Sequence, residues 1–339
     1  MPTSMPAFVK KRFTGRMSVQ KVFVTSALYA KQTPEAIDLL KRAGLEVRLS
    51  ELSRPHKSSE ILERLGDAEA LLVYNTFDEV NSKVIHSAPK LKVISRHGVG
   101  IEMIDVEAAQ SRGVTVRNTL RARAHEAVAN FTMAMILNCT RDIYRLVRET
   151  KAGQWPRQAT GDVDGETLGI IGLGRVGQAV AGRALACGMK ILAYELHPDR
   201  AFCQEHGVRL VDLGELLRES DVVTLHVPLE QGTQGLMGRN ELALMKPKAF
   251  LINTARAKVI DTEALYIAVK EGRIAGAAID VFDEEPPTDN RLSVLDNVLV
   301  TPHIAGITRQ VIRNMDIDAA VNTIEVLHPA FRGFPPGWS

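Results

Sequence analysis

Cysteine is scarce in this sequence: Cys139, Cys187 and Cys203 are the three in 339 residues. They are scattered, with no pair at the spacing of metal ligands. That excludes a disulfide scaffold and a thiolate metal site, and it points to buried thiols in a reducing compartment, the cytoplasm. No metal is expected. Long apolar runs are missing too, so no segment spans a bilayer and no membrane partner is expected. Neither sign of charge dominates, with 42 Lys and Arg against 40 Asp and Glu. With aromatic residues at only 5%, nothing in charge or aromatic patterning supports a nucleic-acid partner. The one imbalance is local: residues 1–20 hold Lys10, Lys11, Arg12 and Arg16 and no acid. Residues 1–18 read as a disordered tail, or as leader residues before a start at Met17. The stretch is short for a targeting peptide and lacks an amphipathic run.

What remains is an ordinary globular composition, 45% apolar and 24% charged, at a length that suggests two domains. Short apolar runs alternate with helical patterns throughout. In the first part, strands are expected at 21–25, 47–49, 70–73 and 91–95, with helices near 34–43, 58–65 and 81–87. Strands separated by helices imply parallel βαβ units, hence a small doubly wound domain. A helix is expected over 123–150, too long for one face of a small domain and suited to crossing between two. A second series of strands follows at 167–171, 190–195, 221–225, 249–252, 277–279 and 298–300. Six strands with helices between them fit a Rossmann sheet. A last helix, 308–327, is placed to return to the first domain.

The run Gly172-Leu-Gly174-Arg175-Val176-Gly177 lies between a β-branched strand and a helix. In that setting its glycines have separate tasks. Gly172 permits a tight turn, Gly174 lets backbone approach a pyrophosphate, and Gly177 lets helix pack on strand. The N–H groups and dipole of the helix start, at Arg175 and Val176, favour the phosphate charge. The next strand ends at Glu195, where a carboxylate can accept the ribose hydroxyls and repel a 2′-phosphate. NAD is therefore expected over NADP.

Three further residues follow strand ends: Arg256, Glu285 and His303. Ligands of open α/β sheets bind outside the carboxyl ends of strands. Interconverting a hydroxy acid and a keto acid needs a forked cation for the carboxylate. It also needs a group that exchanges the hydroxyl proton near neutral pH, and a carboxylate that orients this imidazole and favours its charged form. Arg256, His303 and Glu285 are that set. Each alone has a plain structural explanation, as surface ion pair, loop residue or turn acid; together on a dinucleotide fold they point to catalysis. By chemistry alone Glu284 is an equal candidate for the partner.

Taken in order, Val93-Ile-Ser-Arg-His-Gly-Val-Gly100, the glycine run, His226-Val-Pro228, Asn253-Thr-Ala-Arg256, Asp280-Val-Phe-Asp-Glu-Glu-Pro286 and Thr301-Pro-His-Ile-Ala-Gly306 resemble the D-isomer-specific 2-hydroxyacid dehydrogenases, the phosphoglycerate and glycerate dehydrogenase-like group. The likeness runs from about residue 21 to 327. It implies an α/β chain of two doubly wound parallel-sheet domains. A Rossmann NAD-binding domain, 119–306, is inserted into a flavodoxin-like substrate-binding domain, 1–118 with 307–339, and the active site lies in the cleft between them. It implies hydride transfer between NAD and a small D-2-hydroxy acid or 2-keto acid. Arg256 is then the carboxylate-binding arginine, His303 the acid/base and Glu285, directly before the proline, its partner. Asp280 is placed near the nicotinamide carboxamide. Val227, Pro228, Thr254, Ala255 and Gly306 line the cofactor. Val99 and Gly100, whose amides form an anion nest, meet the substrate together with Tyr74. It also implies a homodimer, formed through the cofactor domains and the apolar surface of the long helix.

Departures from the family pattern are Ala257 for Gly, Glu102-Met103 for Asp-Asn, and Asn130 for Glu. Tyr74-Asn75 stands where phosphoglycerate users tend to carry Arg, although Arg54, Lys57, Arg96 and His97 lie near enough in sequence to supply charge. The same fold also serves NAD-binding co-repressors, the alternative function. Retention of Arg256, Glu285 and His303 together favours the enzyme.

Overall fold

Parallel strands covered on both faces need short, wholly apolar runs, and Ala70-Leu-Leu-Val73 is one, every residue buried. The computed structural model describes residues 19–52, 54–289 and 291–338; the basic tail, 1–18, lies outside them. The chain divides into two compact units, Met1–Ala122 with Ile312–Ser339, and Arg123–Val311.

The first unit holds β1 (Lys21–Val24), β2 (Glu46–Leu49), β3 (Ala70–Val73), β4 (Val93–Arg96) and β5 (Thr115–Asn118) in one parallel sheet, order β2-β1-β3-β4-β5. That is the flavodoxin-like order, whose switch point lies between the first and third strands. The helix Pro34–Arg42 shows how local sequence builds it: Pro34 opens the first turn, Ala36, Ile37, Leu39 and Leu40 are buried, and Lys41 and Arg42 meet the negative end of the dipole. From the far end of the chain, the helix Arg309–Leu327 brings Ile317, Ala320, Val321 and Ile324 into a core with Val22, Val24 and Leu72.

The second unit is a seven-stranded parallel sheet: β6 (Thr167–Ile171), β7 (Lys190–Tyr194), β8 (Arg209–Leu210), β9 (Val222–Leu225), β10 (Phe250–Asn253), β11 (Gly276–Ile279) and β12 (Val298–Val300), in order β12-β11-β10-β9-β6-β7-β8. The chain steps outward from β6 through β8, then crosses to β9 on the other side of β6. Its switch point is therefore between β6 and β9.

Two strands escape the sequence reading. β5 is half-exposed, with no continuous apolar run, and β8 is two residues long. The expected helix over 123–150 is a correction. It is two helices, Ala124–Thr140 and Ile143–Lys151, separated by Asp142 in the left-handed region at φ 52°. Neither proline nor glycine marks the break; Asp is among the residues that tolerate this conformation. The first helix buries Ala129, Met133, Met135 and Ile136 within its own unit, packed against the helix Arg175–Ala186. The second buries no residue. Within the stretch 123–150, the exposed apolar residues Ile143, Tyr144 and Val147 lie on this second helix.

Candidate active site

At the switch point of the second unit, Gly172 follows β6 with φ 93°, a conformation that favours glycine. A Cβ there would lie 2.8 Å from the carbonyl of His226 in the loop after β9. At Gly177 a Cβ would meet the Gly172 carbonyl oxygen at 2.1 Å, so only glycine lets the helix Arg175–Ala186 sit this close. Gly174, its N-cap, faces open space with no atom within 4 Å of a built Cβ. The three glycines are thus distinct: two are enforced by packing and one is left open for an approaching group. Glu195, one residue past β7, accepts from Leu173 N at 2.8 Å and from His197 N at 2.9 Å. The carboxylate is pinned beside the glycine turn. Val227 and Pro228 follow His226. Its Nε2 lies 3.0 Å from Thr224 Oγ1, and burial of the ring pushes the imidazole down to about 3.

The loops after β10, β11 and β12 leave neighbouring strands at the same carboxyl edge. After β12, His303 sits at φ 53°, in the left-handed region. Its Nδ1 lies 2.9 and 2.8 Å from the two carboxylate oxygens of Glu285, which comes from the loop after β11. Both side chains are partly accessible. Glu284 is exposed and accepts from Thr288 Oγ1 instead, so the ambiguity between the two glutamates resolves on geometry. Asp280 is wholly buried directly after β11. Its Oδ1 accepts from Thr301 Oγ1 at 2.6 Å and Ile304 N at 2.9 Å, and its Oδ2 from Ala305 N at 2.8 Å. Those bonds clamp the residues on both sides of His303. Asp280, expected near the nicotinamide carboxamide, thus also holds the histidine loop. Gly306 closes that loop, near Val128.

Arg256 is half-buried past β10. Its guanidinium donates to the Ala255 carbonyl at 2.8 Å. The sequence alone does not single out Asn253, the last residue of β10. Its Oδ1 accepts from Ala255 N and its Nδ2 donates to the Arg256 carbonyl, at 2.9 and 3.0 Å. This asparagine turn shapes the arginine loop; an Asn at a strand end just before the Thr-Ala-Arg run is the signal that would have found it. Thr254 meets Thr132 through their hydroxyls at 3.0 Å.

The first unit carries its own cluster. Tyr74 follows β3 at that sheet's switch point, its N–H donating to Thr25 Oγ1 at 2.8 Å. Arg96 ties the Tyr74 and Gly100 carbonyls together at 2.9 and 3.2 Å. Gly98 N donates to Thr119 Oγ1 at 2.8 Å, and Asn118 Nδ2 to the Val99 carbonyl at 2.8 Å. The Val99–Gly100 loop is therefore anchored on both sides while Val99 itself is exposed. Among the described residues no cluster of His, Cys, Asp and Glu could hold a metal, and no helix is long and apolar enough to cross a membrane.

Residues 133–305 match the family model of the D-isomer specific 2-hydroxyacid dehydrogenase, NAD binding domain. The chain belongs to the D-isomer-specific 2-hydroxyacid dehydrogenase family. It is similar to the D-3-phosphoglycerate dehydrogenase of Methanocaldococcus jannaschii, 43% identical over 86% of this chain and 54% of that protein. It thus spans about half the length of that relative. The glyoxylate reductase of Thermococcus litoralis is 38% identical over 90% of this chain and 92% of its own. A crystal structure of the TT0316 protein of Thermus thermophilus superposes with a TM-score of 0.84 at 35% identity, covering 94% of this chain and 100% of that one. Within this dehydrogenase family the second unit is the Rossmann, NAD-binding domain, and NAD is its cofactor. The open glycine at Gly174 and the pinned Glu195 fit that group.

Proposed function

We propose that this protein interconverts a small D-2-hydroxy acid and its 2-keto acid with NAD. The observation that carries the reading is the His303–Glu285 pair, an imidazole held through Nδ1 by both oxygens of a carboxylate on the neighbouring strand end. Gly172, Gly174, Gly177 and Glu195 would hold the dinucleotide, with Val227, Pro228, Thr254 and Ala255 along its length. The bound cofactor supplies or accepts the hydride. Arg256 would hold the substrate carboxylate through its fork. In reduction, His303 gives a proton from Nε2 to the carbonyl oxygen. In oxidation it takes that proton back, while Glu285 keeps Nδ1 as the donor.

The test is a panel of glyoxylate, hydroxypyruvate, pyruvate and 3-phosphohydroxypyruvate with NADH and NADPH. We expect oxidation of NADH by at least one keto acid, with kcat/KM clearly above that for NADPH. Glu195→Ala should narrow the gap, since it removes the charge that repels a 2′-phosphate. Equal use of NADPH by the unaltered protein rejects the role given to Glu195. No turnover of any keto acid returns the co-repressor-like reading.

The exposed face of Ile143, Tyr144 and Val147, together with exposed Trp155, supports a homodimer, because apolar patches of this kind mark contact surfaces. Light scattering should give the mass of two chains, and Val147→Asp should shift it toward one. A single-chain mass for the unaltered protein ends the proposal. Of the three free thiols only Cys203 is buried, with Cys139 half-buried and Cys187 exposed, so the expectation of buried thiols holds for one of them; free thiols suit the proposed cytoplasmic location.

A further inference from the structure

The helix Ala124–Thr140 turns one face toward the carboxyl edge of the second sheet. Thr132 on that face meets Thr254, just past β10, hydroxyl to hydroxyl at 3.0 Å. One turn nearer the helix start, Val128 is half-buried beside Gly306, which closes the histidine loop; its Cγ2 lies 3.7 Å from where a Cβ would stand. Residues three and seven apart share one side of a helix. The next residue back on this face is therefore His125, whose side chain is 17% exposed.

The same helix packs on Arg175–Ala186, the helix that leaves the glycine turn. Arg183 ties the two together: its Nε donates to Asn130 Oδ1 at 2.6 Å, and its Nη2 to Glu126 Oε2 at 2.7 Å. Arg123 donates to the other oxygen of Glu126 at 2.9 Å. Glu126 is thus shared by two guanidinium groups, and the imidazole Nε2 stands 3.6 Å from it, outside hydrogen-bond range. The charged groups that act on His125 are Arg123 and Glu126 from its own helix, and Arg175 and Arg183 from the other. Burial first, and the Arg175 charge second, hold the imidazole below its ordinary value. In the free protein His125 is neutral at neutral pH.

We propose that His125 is a further cofactor-binding residue, which takes up a proton from solvent as the dinucleotide's diphosphate settles beside Arg175 at the glycine turn. The inference rests on the placement of the cofactor at Gly174 given above. A diphosphate diester is anionic at every working pH. It would offset the Arg175 charge and favour the imidazolium, which can then donate to it. His125 holds its proton more weakly in the free protein than in the complex. NADH should therefore bind more tightly as pH falls between those two points, and the gain should level off below the lower one.

Fluorescence titration with NADH at pH 6 and pH 8, with no substrate present, tests this. Kd should be about tenfold lower at pH 6, the effect of moving one titration midpoint by about one pH unit. Calorimetry near pH 6.5, in buffers of differing ionisation enthalpy, should show a fraction of a proton taken up per NADH bound. His125→Gln keeps a hydrogen-bond donor and cannot be charged. Its Kd should agree at both pH values within about twofold, and its proton uptake should vanish. His303→Ala, which removes the imidazole assigned to proton exchange, should keep both effects. A pH-independent Kd without proton uptake in the unaltered protein overturns the inference, whether or not the variants fold. So does a His125→Gln protein of normal thermal midpoint that keeps the pH dependence, or its loss in His303→Ala. Failure to bind NADH at either pH is a different result: it removes the placement of the cofactor, and this inference with it.

Discussion

His303→Ala should lower kcat for keto-acid reduction by on the order of a hundredfold to ten-thousandfold, the range for losing a general acid, while NADH binds as before. The side chain lies past a strand end, partly accessible, and its contact is with Glu285, so the substitution removes chemistry rather than core. Glu285→Gln tests the pairing separately. A carboxylate accepts only, so it holds the proton of a neutral imidazole on Nδ1 and leaves the Nε2 lone pair for the substrate. An amide can turn its NH2 toward Nδ1 and stabilise the other tautomer, as in a triad whose Asp becomes Asn. Oxidation of the hydroxy acid, which needs a basic Nε2, should then fall more than reduction does, about a hundredfold. Equal, small effects in both directions mean that Glu285 only fills space. Near-normal kcat in His303→Ala rejects the acid/base assignment outright.

Arg256→Lys keeps a positive charge and loses the fork. Hydrogen bonds to charged groups contribute about 1.5–3 kcal/mol each, so kcat/KM for the keto acid should fall about ten- to a hundredfold. Dissociation of NADH, followed by fluorescence, should stay within about twofold, because the glycine turn, in the proposed site, would hold the cofactor's phosphates instead. An unchanged kcat/KM rules out the carboxylate role. A matched loss of NADH affinity means that the arginine shapes the cofactor pocket.

Much of this was legible in the residues themselves. Continuous apolar runs such as Ala70-Leu-Leu-Val73 announce strands covered on both faces, and glycines at fixed offsets after β6 announce the turn. What stayed hidden has physical reasons. β8 is too short to show a pattern, and β5 is half-exposed. The break at Asp142 is made by an acid in an uncommon backbone conformation rather than by proline or glycine. The site divides in the same way. Arg256, Glu285 and His303 declare themselves by chemical type, but the supports do not. Asn253 lies just past the run read as a strand, 249–252, and its turn onto Ala255 and Arg256 is local, whereas Asp280 meets Thr301, Ile304 and Ala305 only once the fold brings them together.

β12 is three residues long and lies at the edge of its sheet, paired on one side only, with Ala277, Ala278 and Ile279 opposite Val298, Leu299 and Val300. His303 hangs from it, and Glu285 from β11. A slip of one residue along that ladder would carry the histidine about 3.3 Å past its partner, further than the 2.8 Å that now separates them. Formation of the His303–Glu285 pair is therefore a matter of alignment between two short strands. The bonds from Thr301, Ile304 and Ala305 to Asp280 act as the key that admits one alignment, so that a buried carboxylate decides whether the imidazole and Glu285 meet at all.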